Sequence, residues 1–313
     1  MLCDIFKRYF FFVREKGDLC FALITDTHIS DEGVQTRENI KAVDSEIGFD
    51  FTAHLGNLIN GDNPEKISRQ ILRDEIQRYQ DAISAKKLFV SRGDTDGWRN
   101  ERFLGQLVKG IMTDEAWYED TNYLSAFKDV VRQKNKPYYY VDFKDYNIRL
   151  VFLCSYHYQY DADIEFHQKY TGIDAAQAKW LVTEALFGCE GMEVLMFSHR
   201  IPQSRFETGK DPFFYKGNST EPVCAIIQRA MRRGVNIACW FGGAYGYDSE
   251  ITVEGINFAV IDSQMPRATR NKEHEHKLDL LESDAWDAAV LKKNQRRLYI
   301  FRFGRGNDRV IQY

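Results

Sequence analysis

Six apolar runs of strand length, Leu19 to Thr25, Phe51 to Leu55, Lys87 to Val90, Leu150 to Cys154, Val194 to Phe197 and Ile237 to Phe241, are separated by stretches of helical period. Such an alternation leaves few architectures open, because strands joined through helical crossovers assemble into α/β layers. With 313 residues, 44% of them hydrophobic and 14% aromatic, the chain can bury an extensive core.

The crossovers carry their own punctuation. Asn63-Pro64-Glu65 offers an N-cap, a proline at the first helical position and an acid in the first turn. Ile67, Ile71, Leu72, Ile76, Tyr79 and Ile83 then fall on one broad face. A second helix is expected from Asp174, with Gln177 as capping-box partner, through Trp180, Leu181 and Leu186. A third runs from about Thr220 to Gly234. After Gly242 the pattern changes to strand pairs, Ile251 to Val253 with Ile256 to Ile261 and Trp286 to Leu291 with Leu298 to Phe303. They predict an antiparallel region at the C-terminal end. Residues 1–18 read as an extension ahead of one domain over 19–313, with residues 99–136 as an insertion that forms a lid or a docking surface.

A net charge of −4 gives no reason to expect a nucleic-acid partner. The apolar run Tyr9 to Val13 is too short for a signal peptide or a membrane span. Six cysteines contain no CxxC pair, and three lie in strand-like runs, which reads as a reduced, cytoplasmic protein. His274 and His276, in the charged stretch 266–283, read as solvated, and His54 as a core histidine.

Ligand sites in α/β sheets form beyond the carboxyl ends of strands, so the residues after each run are the informative ones. In order they are Thr25-Asp26-Thr27-His28, Leu55-Gly56-Asn57, Gly93-Asp94-Thr95-Asp96, Ser198-His199 and Gly242-Gly243-Ala244-Tyr245-Gly246-Tyr247. This series resembles the calcineurin-like metallophosphoesterases, whose pattern is DxH, GDxxx, GNH followed by an acid, a lone His and GHxH. The resemblance spans roughly residues 19 to 262. It implies a four-layer α/β/β/α sandwich of two mixed sheets, and a centre where two cations about 4 Å apart clamp a phosphoryl oxygen.

Asp26, His28, His199 and the acid Asp96 match that pattern, while five positions depart from it. Asn57 stands at the bridging aspartate, Asp94 at the metal-binding asparagine, Thr95 at the catalytic histidine, and Gly243 and Tyr245 at the last two histidine ligands. A neutral amide lacks the charge that holds two cations together, and a threonine cannot protonate a leaving oxygen near neutral pH. The resemblance therefore implies a degenerate dinuclear site, and a protein that binds or regulates through a phosphorylated small molecule or a protein partner. The alternative is an active phosphoesterase with one divalent ion (Mn, Fe or Zn). Asp26, His28, Asp94 and His199 would hold that ion, Asn57 would be a neutral fifth ligand, and Asp96 or His157 would move the proton. Asp94-Thr95-Asp96-Gly97 is also similar to the start of haloacid-dehalogenase-type phosphatases, but Ser91-Arg92-Gly93 separates it from the strand and Trp98 replaces their threonine.

Overall fold

Alternate residues of single strands are claimed by two different cores. Leu19, Phe21 and Leu23 of β1 (Leu19–Ile24) face an inner core, while Cys20, Ala22 and Ile24 face an outer one. Strands buried on both sides need a layer above and a layer below, which is why their sequence is continuously apolar. The computed structural model describes residues 6, 10–29, 31–103, 106–161, 166–201, 223–262 and 284–313, without side chains for 31–32, 99–111 and 157–171.

The first sheet adds β2 (Phe51–His54), β3 (Leu88–Val90), β15 (Ala285–Lys292), β16 (Arg297–Gly304) and β17 (Arg309–Gln312), in the order β17-β16-β15-β1-β2-β3. The second comprises β6 (Val130–Arg132), β7 (Tyr139–Phe143), β8 (Ile148–Phe152), β11 (Glu193–Ser198), β12 (Asn236–Gly242), β13 (Ser249–Val253) and β14 (Ile256–Val260), in the order β13-β14-β12-β11-β8-β7-β6. Two hairpins stand apart: β4 (Gly97–Phe103) with β5 (Gln106–Ile111), and β9 (Tyr156–Asp161) with β10 (Phe166–Thr171).

The sheets pack face to face through phenylalanine rings. Phe21 stacks on Phe51 at 4.7 Å, Phe152 on Phe197 at 4.6 Å and Phe197 on Phe241 at 5.5 Å, and Phe21 meets Phe241 edge-on across the two layers. Outside the first sheet lie α1 (Asp31–Ile47), α2 (Glu65–Ala82) and α3 (Asp114–Asp120); outside the second lie α4 (Ala175–Trp180) and α5 (Val223–Arg232). The result is the expected four-layer α/β/β/α sandwich of two mixed sheets.

Several local expectations are refined. Pro64 is itself the N-cap of α2 with no side-chain cap, so the helix begins one residue later than its motif suggests. Asp174 caps α4 by accepting from Gln177 N at 2.7 Å, but the Gln177 amide bonds Cys154 N and O, both at 2.8 Å, so the capping box is only half made. The C-terminal strand pairs do not form one region. β13–β14 extends the second sheet and β15–β16 joins the first, where β15 pairs antiparallel with β1.

From the N-terminal segment, Phe6 and Phe10 are buried against Trp286, Phe301 and Phe303. Within 99–136, Trp117 enters the outer core and β6 joins the second sheet. At the edge of the first sheet, the Tyr139 hydroxyl accepts from Val90 N at 2.8 Å and donates to Val90 O at 3.0 Å, while Tyr123 donates to Leu88 O at 3.0 Å. His274 and His276 lie outside the described residues. Five described cysteines are free and buried, and no described helix is long and apolar enough to cross a membrane.

Candidate metal centre

The parallel strands β1, β2 and β3 end side by side, and β11 and β12 end likewise in the facing sheet. The loops that leave them are bent tightly. Asp26 (φ 51°), His28 (φ 46°), Asn57 (φ 59°) and Ala244 (φ 60°) all adopt left-handed backbone, a conformation that Asn, Asp and His tolerate best among residues with a β-carbon. Gly56, at φ 110°, lets the β2 loop approach the β3 loop so closely that a β-carbon there would lie 2.8 Å from Gly93 Cα.

These turns bring Asp26, His28, Asn57, Asp94 and His199 together. Asn57 occupies the middle. Its Nδ2 donates to Asp26 Oδ1 at 2.7 Å and to Asp94 Oδ1 at 2.9 Å, and its Oδ1 accepts from Thr95 N at 2.9 Å. The backbone N–H of Thr95 fixes this amide orientation, because a flip would oppose two donors. Asn57 therefore turns its nitrogen to the carboxylates and spends its oxygen on the backbone, contrary to the expected neutral oxygen ligand.

His199 is fully buried, and its Nδ1–H donates to Leu55 O at 2.8 Å. That bond leaves Nε2 facing Asp94 Oδ1 at 3.4 Å and Asp26 Oδ1 at 4.0 Å without a regular hydrogen bond. Burial alone would pull the His199 pKa down, but Asp26 and Asp94 outweigh it and the net direction is upward. His28 Nε2 stands 4.0 Å from Asp26 Oδ1. The second Asp26 oxygen accepts from Thr25 Oγ1 at 2.8 Å and Ala244 N at 3.2 Å.

The other expected groups have different work. Asp96 is buried, with Oδ2 accepting from Asn57 N and Gly93 N, both at 2.8 Å, and Oδ1 from Ile59 N at 3.1 Å. Burial raises its pKa against the pull of these N–H groups. It ties two loops together and, with both oxygens occupied, is not placed to shuttle a proton. Thr95 donates its hydroxyl to Ile59 O at 2.7 Å. Backbone and β9 place His157, whose side chain lies outside the described residues. His54 is fully buried: Nδ1 accepts from Gly56 N at 3.2 Å and Nε2 meets Thr27 Oγ1 at 2.9 Å, and burial lowers its pKa to about 3.

The β12 loop contributes no ligand side chain. A β-carbon on Gly243 would fall 2.7 Å from Thr25 Cβ and closer still to Thr25 Oγ1, so the histidine of the resembling pattern has no room here. Tyr245 donates its hydroxyl to Ile201 O at 2.8 Å and lies under the Arg200 guanidinium, 5.6 Å from its ring centre.

Two residues escape a reading of motifs. Thr25 both holds Asp26 and fills the space beside Gly243; its only trace in the sequence is a hydroxyl directly after an apolar strand. Arg92, fully buried, donates to Met112 O at 2.7 Å, Asp114 Oδ1 at 2.9 Å and Tyr156 O at 2.7 Å, fastening the Gly93–Asp96 loop to both hairpins. A cation between an apolar strand and a glycine is the signal that could have found it.

As a test of metal fit, the cluster gives two answers. Two ions do not fit, because Asn57 offers no bridging carboxylate and Gly243 and Tyr245 offer no nitrogen. One ion fits the donor set better, since the buried Nε2 of His199 faces two carboxylates. Even so, among the described residues no three His, Cys, Asp or Glu side chains converge closely enough to grip a metal as they stand.

No protein-family model matches the sequence, and no curated protein matches it. Among solved structures, a dimetal phosphatase from Danio rerio is similar over 94% of this chain and 99% of its own, with a TM-score of 0.60 and 14% identity. GAP50, the anchor in the inner membrane complex of Plasmodium, aligns with a TM-score of 0.43 at 10% identity over 90% of this chain and 83% of its own. Vps29 from Chaetomium thermophilum aligns at 0.34 and 13% over 93% and 94%. The first likeness establishes the fold, that of the calcineurin-like phosphoesterases; the other two are too distant to bear on it further.

Proposed function

We propose that this chain is a phosphoesterase scaffold whose two-cation centre has been replaced by a hydrogen-bonded polar cluster, and that it acts by binding a partner in the cytoplasm. The observation that carries the reading is the Asn57 amide, which stands at the bridging position and donates one N–H to each of the carboxylates Asp26 and Asp94. A dipole there replaces a charge. Without a cation, Asp26 and Asp94 would repel a phosphate, so the metal-free reading goes with a protein partner.

The buried His199 Nε2, which faces two carboxylates without a regular hydrogen bond, favours a second reading, in which Asp26, His28, Asp94 and His199 hold one divalent ion. Such an ion would supply Lewis acidity toward a phosphoryl oxygen and a counter-charge for a phosphorylated ligand. His199 is already oriented for that role by its bond to Leu55 O.

Titration of the full chain with Mn²⁺, with hydrolysis of p-nitrophenyl phosphate measured on the same preparation, tests both. The first reading expects no turnover and at most one weakly held ion. Two tightly bound ions, or efficient hydrolysis, would overturn it. Asn57→Asp restores the bridging charge and is expected to tighten Mn²⁺ binding about tenfold, roughly 1.4 kcal/mol.

A further inference from the structure

At the amino ends of β2 and β3, opposite the polar cluster, a cleft of about 590 Å³ opens between the edges of the two sheets. Its floor is aromatic. Phe89 packs against Phe127 at 5.8 Å and against Phe143 at 6.2 Å, and Phe127 remains partly exposed. Lys87, half-buried, lays its ammonium over the Phe143 ring, 5.1 Å from the centroid.

The charges around this floor are not equivalent. Asp50 spends one oxygen on Tyr146 OH at 2.7 Å and the other on Cys20 N at 2.8 Å. Asp142 is held by both arms of Arg149, at 2.7 and 2.9 Å, and Asp129 by Lys144 at 2.7 Å. Asp145 is exposed at the rim. Lys87 forms no ion pair among the described residues, although the hydrogen bond from Lys144 and the charges of Lys144, Lys128 and Lys87 together hold the Asp129 carboxyl below its ordinary pKa, and Lys128 beside the cleft is exposed. Most of the cleft's acceptors are taken up inside the protein, whereas a half-buried donor above an aromatic face is left for a ligand.

From this arrangement we infer that the cleft is a binding site for a small aromatic carboxylate, its ring on Phe127 and Phe143 and its anionic group on Lys87. The volume falls within the range of small-molecule sites, which combine an apolar lining with a few placed polar groups. An ammonium already shielded from water by a ring pairs with a carboxylate more strongly than an exposed lysine does.

The test uses 2-naphthoate on the full chain, followed by displacement of 8-anilinonaphthalene-1-sulfonate fluorescence, beside the uncharged analogue 2-naphthalenemethanol. Naphthoate is expected to bind at least about tenfold more tightly than the alcohol, a gap that Lys87→Met closes. Phe127→Ala should weaken both ligands. Equal affinity of acid and alcohol for the unaltered chain, no displacement at millimolar naphthoate, or displacement only by an acidic aromatic peptide would overturn the assignment. The acid-against-alcohol comparison needs no variant, so it stands even if a substitution unfolds the protein.

Discussion

The two sheets contribute unequally to the polar cluster. Loops of the first sheet bring Asp26, Asn57 and Asp94, joined by hydrogen bonds, with His28 4.0 Å from Asp26, whereas the second sheet brings one side chain, His199, and the backbone N–H of Ala244. The side chains of its β12 loop pack instead, with Gly243 beneath Thr25 and Tyr245 bonded to Ile201. The strands that frame such a site are held by their cores, while the side chains beyond them answer only to local contacts.

The heaviest blow to the first-sheet half is Asp96→Ala. It strands three buried N–H groups and should cost about 4 kcal/mol in urea unfolding; a loss below about 1 kcal/mol would mean that Asp96 does not hold the loops. On the other half, Gly243→His should cost about 3 kcal/mol through overpacking against Thr25. Thr25→Gly in the same chain should recover most of that, and a single variant as stable as the parent would show that the space is not closed.

The pH dependence separates the halves further. His54 stays neutral to about pH 3 when folded but takes up a proton near 6.5 when unfolded. The unfolded state therefore binds more protons between those values, and stability falls as pH is lowered, by up to about 1.4 kcal/mol per unit from this group. Removing the imidazole with His54→Gln should flatten the unfolding free energy against pH across that window; an unchanged slope would refute it. The smallest effect is expected from Tyr245→Phe, which gives up one hydrogen bond to Ile201 O, about 1 kcal/mol by thermal unfolding.

Much of the architecture was legible in the sequence because strands buried on two faces must be apolar throughout, and the runs around Phe21, Phe51 and Phe197 say so. The residues after those runs could likewise be read in order. What could not be read was direction. Nothing in the letters of Asn57 tells that its nitrogen rather than its oxygen meets Asp26, since Thr95 N, 38 residues on, decides it. Nor could the C-terminal hairpins be assigned to sheets, because antiparallel pairing is local and sheet membership is not. α1 was missed since its sequence, DEGVQTRENIKAVDSEI, places few apolar residues on its buried stripe.

The hydroxyls of Tyr123 and Tyr139 have a consequence for how copies of this chain meet. An outermost strand normally exposes a ladder of idle amides and carbonyls that invites polymerisation with a neighbour. Here phenol groups from the same polypeptide already occupy the Leu88 carbonyl and both backbone groups of Val90, which leaves that flank of the molecule little to offer a growing fibre.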